Sequence, residues 1–274
     1  MSINLAPLDI LKKKLDLTKS NNYVIHSDLT ILGRKLFLLK DRLVEYLCYE
    51  FNADNLAVPA FNLNTTSNKK VDIKSIDLSM GSLPAASVKA CNLNKGYRTP
   101  NPIHSYCFFP ETNNIKFINN NKSFGKNSVF DFFIKNDFIW VNFGASIDNG
   151  FTLFHHLECV ASVPYRENIK FDRNLWDGNK IQKISFGYFA RNKKNFKQDF
   201  NPAVKYLIEI CGLTIKDIRS GNNYALRWAS HNGHIDIIRY FVETCGLTIE
   251  DIKSGNNYGL RWGSRKGHID IVKY

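Results

Sequence analysis

No apolar run in this chain approaches the length needed to span a bilayer, so the sequence offers no transmembrane helix. Nor does it open like a secretory signal. In residues 1–18 the cluster Lys12-Lys13-Lys14 follows a short apolar stretch, the reverse of the usual order. These two absences predict a soluble, cytoplasmic protein, neither secreted nor membrane-bound. The six cysteines lack the paired spacing of a zinc site, and Cys211 and Cys245 occupy equivalent places in a repeat. Buried free thiols and no bound metal are therefore expected. A groove-reading motif or an aromatic-basic platform is also missing, which argues against a nucleic-acid partner. Carboxylates are scarce: 25 Asp and Glu stand against 37 Lys and Arg, a net charge of +12. The excess divides evenly, +6 over residues 1–190 and +6 over 191–274, so a uniformly basic surface favours anionic ligands.

What is present is apolar material enough for one sizeable core and a smaller appendage, with 44% hydrophobic and 13% aromatic residues in 274. The appendage announces itself by repetition. Residues 212–240 and 246–274 align at an offset of 34 with 21 of 29 positions identical, and a partial third copy begins near Asn201. Within a unit, residues 222–230 read as a first helix and Asn232-Gly233-His234 as a turn, glycine supplying the left-handed conformation. Asp236 then begins a second helix. The Gly-His-Ile-Asp-Ile-Ile pattern resembles the ankyrin repeat, and the Gly-Leu-Thr-Ile insertion resembles ankyrin-like arrays of giant DNA viruses. That resemblance implies an all-α tail over 201–274, a truncated or degenerate array that can bind a protein partner. For a viral protein the location becomes the host cytoplasm or the virion. His234 and His268 are read as turn residues that bond backbone groups. The polar, charged stretch 191–200 reads as a linker, which places a domain boundary after residue 190.

The first 190 residues alternate strand-like and helix-like patterns, an α/β signature. Tyr23-Val24-Ile25-His26 is a short apolar strand, residues 37–51 carry apolar residues at helical spacing, and Leu56-Ala57-Val58 returns to strand. Residues 138–144 form another strand, leading through 145–150 into a helix with His155 and Glu158. Ligands in such folds sit at the carboxyl ends of strands, which suits Ser27 and the loop after Phe143.

Five segments in order carry a more specific likeness: Val24-Ile25-His26-Ser27, residues 56–61, residues 80–84, residues 98–105, and Thr152-Leu153-Phe154-His155-His156-Leu157-Glu158. Further matches are Ser123-Phe124-Gly125-x-x-Ser128 and Val163-Pro164-Tyr165-Arg166. Together they resemble the aminoglycoside 3-N-acetyltransferase family over about residues 23–166. The resemblance implies a three-layer α/β/α fold and transfer of acetyl from acetyl-coenzyme A to an amino group on a sugar. By the same likeness His155 is the base and Glu158, three residues on along a helix, fixes its tautomer. No nucleophilic cysteine occupies the family pattern there, so direct attack by the amine is implied. His156 points about 100° away around the helix and is read as structural. A metal site on His155, His156 and Glu158 is the rival reading, and it lacks further ligands at suitable spacing.

The likeness also places His26, Ser27, Arg98, His104, Ser105, Ser123, Gly125 and Ser128 along the coenzyme A channel, where hydroxyls, backbone N–H groups and cations suit phosphates. Asp28, Phe61, Phe151 and Thr152 are assigned to the acceptor. Asp28 stands where a second serine is common in the family, and Phe151 and Phe154 add an apolar wall. The basic balance favours an anionic acceptor, so a nucleotide-linked amino sugar, such as a UDP- or dTDP-linked 4-amino-4,6-dideoxyhexose for glycan synthesis, is the leading expectation. An aminoglycoside acceptor is the alternative, and a degenerate enzyme serving as an ankyrin-type interaction protein is the other. A homodimer is possible on this reading.

Overall fold

The short apolar runs of the first part of the chain become strands, and the longest of them by burial lies at the centre of a sheet. The computed structural model describes residues 21–28, 42–62, 70–110, 121–144, 152–192, 201–210 and 212–274. Among these, the strands are β1 (Asn22–Ser27), β2 (Asn55–Pro59), β3 (Lys70–Asp72), β4 (Tyr97–Arg98), β5 (Tyr106–Phe109), β6 (Ile139–Phe143), β7 (Arg166–Trp176) and β8 (Ile181–Arg191). The helices outside the repeats are α1 (Leu43–Phe51), α2 (Ser82–Asn92), α3 (Val129–Lys135) and α4 (Leu153–Val160). The chain divides into two compact units, one of Met1–His156 with Glu167–Ala190, the other of Leu157–Arg166 with Arg191–Tyr274.

In the first unit a five-stranded sheet has the order β4-β5-β2-β1-β6. β1 pairs in parallel with β2 on one side and β6 on the other, while β5 runs antiparallel to β2 and to β4. Alternation along each strand sorts the residues into two faces. Tyr23, Ile25, Leu56, Val58, Cys107, Phe109, Val141 and Phe143 turn to one core, packed with Leu43, Leu47 and Phe51 of α1 and Leu83 and Val88 of α2. The helical spacing of residues 43, 44, 47 and 51 puts these buried positions on one stripe, and Asn52 ends the helix in the left-handed region at φ 46°. Tyr106, Phe108 and Trp140 face the other way, against α3: Phe133 lies 4.9 Å from Tyr106 and 5.4 Å from Trp140, and Phe130 lies 6.2 Å from Trp140. Helices on both faces make three layers, as the α/β/α expectation required. A second sheet, β3-β7-β8, was not anticipated: β7 and β8 are each 11 residues long, mostly half-exposed, and show no clean alternation. Arg191, expected to open the linker, is the last residue of β8, and 193–200 lies outside the described residues.

In the second unit residues 201–274 form helices α5 (Asn201–Glu209), α6 (Ile215–Ile218), α7 (Ser220–Asn232), α8 (Ile235–Arg239), α9 (Ile249–Lys266) and α10 (Ile269–Lys273). Gly233 and Gly267 take left-handed φ values of 81° and 75° at equivalent turns. The Gly-Leu-Thr-Ile insertion is the start of an extra capped turn: Thr214 and Asp217, then Thr248 and Asp251, bond reciprocally at its N-terminus. The two repeats are stitched by Arg219, whose Nε and Nη2 donate to the two Asp251 oxygens at 2.9 and 2.8 Å. His268 bonds the His231 carbonyl across the same seam at 3.1 Å. The tandem helical repeat is thus observed. Cys48, Cys91, Cys107, Cys159 and Cys245 are free thiols, and Cys211 lies outside the described residues. No described helix is long and apolar enough to cross a membrane.

Phe133, fully buried at 1% exposure, links α3 to the aromatic face; Phe133→Ala should cost about 3–5 kcal/mol in urea unfolding of the first unit. The bond from Arg219 holds the Asp251 carboxyl well below the usual carboxylate range. A depressed folded-state pKa contributes stability above the ordinary value, about 3.9, that is lost as pH falls below it. Asp251→Asn should therefore lower the melting point of the repeats at pH 7, and the difference from wild type should shrink when the melts are repeated at pH 3.

Candidate active site

The parallel strands β1, β2 and β6 all end on the same side of the sheet, and β1 lies between the other two. The carboxyl ends of parallel strands are where open α/β sheets leave a crevice. Ser27 and Asp28 lie at that edge; the Asp28 amide donates to the Phe143 carbonyl at 2.9 Å, and Ser27 bridges to Gly144. Thr152 accepts from the His155 amide at 3.0 Å, turning the chain into α4. Phe151 lies outside the described residues.

A continuous set of ring contacts leads from β1 to α4. His26 lies 6.3 Å from Phe61, Phe61 lies 4.9 Å from His104, His104 lies 4.7 Å from Phe124, and Phe124 lies 6.0 Å from His155. Ring contacts thus link His26, Phe61, His104 and His155 in series. Tyr188 of β8 stacks on His104 at 5.8 Å, and Tyr106 meets His26 at 6.4 Å. Neither tyrosine was marked by the sequence. Tyr106 could have been found by alternation, since it follows His104 at a spacing of two, whereas Tyr188 comes from the unanticipated sheet.

Burial decides the charge of these imidazoles. Desolvation pushes His26 down to about 4 and His156 down to about 4; His104 falls to about 3, with the nearby His155 adding to the effect. All three are neutral at pH 7. His156 accepts from the Gly125 amide at its Nδ1, 3.2 Å away, so its proton sits on Nε2. This bond holds Gly125, at φ 88°, and makes His156 a structural residue as its helical position suggested. Ser128 caps α3, accepting from the Asp131 amide at 3.4 Å, with its hydroxyl 3.5 Å from His156 Nδ1.

Other expected coenzyme contacts divide sharply. Arg98 corrects the sequence reading: its Nε donates to Ser105 Oγ at 3.1 Å, Nη2 to the Ala60 carbonyl at 2.9 Å, and Nη1 to the carbonyls of Ile73 and Ser75. Four of five N–H groups are committed to closing loops, so Arg98 and Ser105, which itself donates to Ala60, brace the site instead of meeting phosphate. By contrast, Ser27 Oγ, His26 Nε2, His104 Nδ1 and Ser123 Oγ are buried with no hydrogen-bond partner among the described residues, as are Tyr106 Oη and Asn142 Oδ1. Asn142 is the register partner of His26 on β6. Unpaired buried polar atoms are costly, and their concentration at one strand edge marks a place built to receive polar groups. The amides and hydroxyl of a pantetheine arm are groups of that kind, so the residues present fit coenzyme A.

Glu158 is 1% exposed; its Oε1 accepts from the Tyr165 hydroxyl at 2.7 Å, and its Oε2 pairs with Arg166 Nε at 2.7 Å. The Tyr165 and Arg166 side chains hold this carboxylate in place. Cys107 is buried and its thiol is pushed well above the ordinary range by desolvation, which removes it as a nucleophile. Among the described residues no three His, Cys, Asp or Glu side chains are placed to hold a metal ion.

A scan against family models and a search of the curated proteins found no match. Solved structures do match. One titled as a complex of AAC-IIIb with CoASH has a TM-score of 0.52 at 13% identity, covering 76% of this chain and 84% of that one. The sisomicin-bound AAC-VIa structure has a TM-score of 0.52 at 15% identity, covering 69% and 77%, and the YokD protein from Bacillus subtilis has 0.51 at 15%, covering 68% and 81%. The chain has the aminoglycoside acetyltransferase fold. The α/β expectation is met on that ground.

Because His26, His104 and His156 are held neutral below their ordinary value of about 6.5, unfolding at lower pH takes up protons, and stability is lost as pH falls from 6.5 towards 4. Each contributes about 2 kcal/mol of loss between pH 7 and pH 5. His104→Phe should reduce the gap between urea midpoints at those two pH values.

Proposed function

We propose that this protein is an acetyl-coenzyme A-dependent N-acetyltransferase acting on an amino group of an amino sugar, with His155 as the base. The observation that carries the reading is the edge where Ser27, His26, His104 and Asn142 present buried polar atoms unpaired among the described residues, linked through Phe124 to the His155 ring, in a fold shared with acetyltransferases. Acetyl-coenzyme A supplies the acetyl group as a thioester. His155 takes a proton from the attacking nitrogen as the C–N bond forms and the C–S bond breaks, and returns a proton to the departing thiolate. Glu158, three positions along α4, orients that imidazole, and its own pairing with Tyr165 and Arg166 fixes the carboxylate. Neutral His26 and His104, with Ser27 and Ser123, bind the pantetheine arm, and Asp28, Thr152 and Phe61 border the acceptor.

For the acceptor, the charge argument for a nucleotide-linked sugar finds no added support, since Arg98 is not available to a phosphate. The similar AAC-VIa structure holds sisomicin, an observation that favours an aminoglycoside at least as well. Asp28, an exposed carboxylate at the strand edge, suits a cationic ring. The helical repeats are read as an ankyrin-like protein-binding tail.

Thiol release from acetyl-coenzyme A should be seen with sisomicin or with a nucleotide-linked amino sugar, and His155→Ala should lower kcat/KM by about 10²-fold or more. Absence of release across both classes, in protein that is not stabilised thermally by coenzyme A, would sink the assignment.

A further inference from the structure

The last turn of α2 brings one thiol to another. Leu83, Ser87 and Cys91 follow one another at four-residue spacing along a stripe of that helix; the first two are fully buried, and Cys91, nearest the end, is half-buried. Cys107 lies within β5 with no exposure, opposite Val58 on β2 and Arg98 on β4. Opposite residues of antiparallel strands share a face of the sheet. Cys91 packs on the core cluster that holds Cys107 and Val58, and a hydrogen bond joins the two thiols. The Arg98 guanidinium acts on both sulfurs, with Asp72 the carboxylate that acts on it in turn. Cys48 of α1 offers the contrast: it packs on the same cluster, but burial and the neighbouring Glu45 push its thiol up to about 11. Reactive thiols sit where partial exposure and a cation coincide. Cys91 has both, with a second thiol in contact.

We propose that Cys91 and Cys107 are a redox pair, closing to a disulfide when a peroxide reaches Cys91 and reopening with a thiol reductant. In the first step the Cys91 sulfur attacks the peroxide. An S–O bond forms, the O–O bond breaks, water leaves, and the sulfur is oxidised by two electrons to a sulfenic acid. In the second step the Cys107 sulfur attacks that of Cys91. The S–S bond forms, the S–O bond breaks, and the departing hydroxide takes the Cys107 proton as water. Two thiols thus give up two protons and two electrons to one peroxide, which becomes two waters. Burial keeps Cys107 from attacking a free substrate, yet contact presents it to a sulfenic acid at high effective concentration. The bond ties α2 to β5 beside Arg98, whose donors brace the loops at residues 60, 73 and 75, so an oxidant acts on the support of the site. The inference is independent of the acetyltransferase reading.

The reduced full chain is exposed to hydrogen peroxide at neutral pH, quenched with N-ethylmaleimide, digested with trypsin without reductant, and mapped by mass spectrometry. The proposal expects a fragment joining residues 90–95 to 99–116, two hydrogens lighter than the free peptides together, and a fall in thiols from six to four that a phosphine reverses. Cys91→Ser should slow the loss of thiols by at least about ten-fold. In Cys107→Ser, dimedone should trap the sulfenic acid at Cys91. Absence of the joined fragment, linkage of either residue to another cysteine, or the same yield from chain oxidised in urea overturns the proposal. So does a dimedone adduct on Cys107 in wild type that forms before one on Cys91.

Discussion

The structure of the first unit depends on a central strand buried on both faces. Tyr23, Val24 and Ile25 of β1 have no exposure, and the strands beside it inherit the same constraint through their register. One face takes aliphatic side chains from α1 and α2. The other takes rings from α3 and from the loops after β2 and β5. A face of rings is stiff, so polar atoms carried on it are held at fixed places. It also excludes water, so an imidazole there is neutral unless a carboxylate is beside it. The site's character follows from these two consequences of one buried strand.

Three neutral histidines in such a place play different parts. His156 is satisfied by Gly125 and shapes the turn before α3, whereas His26 and His104 keep an unpaired nitrogen. Structural economy would pair those atoms or replace the rings with phenylalanine. That they are unpaired among the described residues, beside Ser27 and Asn142, marks a surface suited to receive hydrogen bonds. Arg98 illustrates the reverse. A lone arginine in a basic stretch reads as a phosphate ligand, yet folding draws its donors to the carbonyls of residues 60, 73 and 75, bracing loops that depart from the sheet edge.

The repeats obey a simpler rule. Each unit buries its apolar stripe on a neighbour, and the seam adds a charged pair and a ring over an arginine. Identity of sequence thus does not give identity of environment: Leu226 is core and Leu260 is surface because only one of them has a following unit against it among the described residues.

Much of this was legible before any coordinates. Short apolar runs placed β1, β2 and β6, helical spacing placed α1, the glycine turns placed the repeat helices, and the run from Thr152 to Glu158 placed a helix with both its histidines and its acid. These are local patterns, set by the periods of 2 and 3.6 residues and by the φ values open to glycine, so the chain carries them in its own order. The sheet of β7 and β8, the partners Tyr165 and Arg166 of Glu158, the bracing role of Arg98 and the exposure of Leu260 were decided by tertiary structure alone. Each turns on which distant backbone carbonyl, ring or helix comes within reach, and on how much water remains between them. Neither distance nor solvent is encoded in the spacing of residues along the chain.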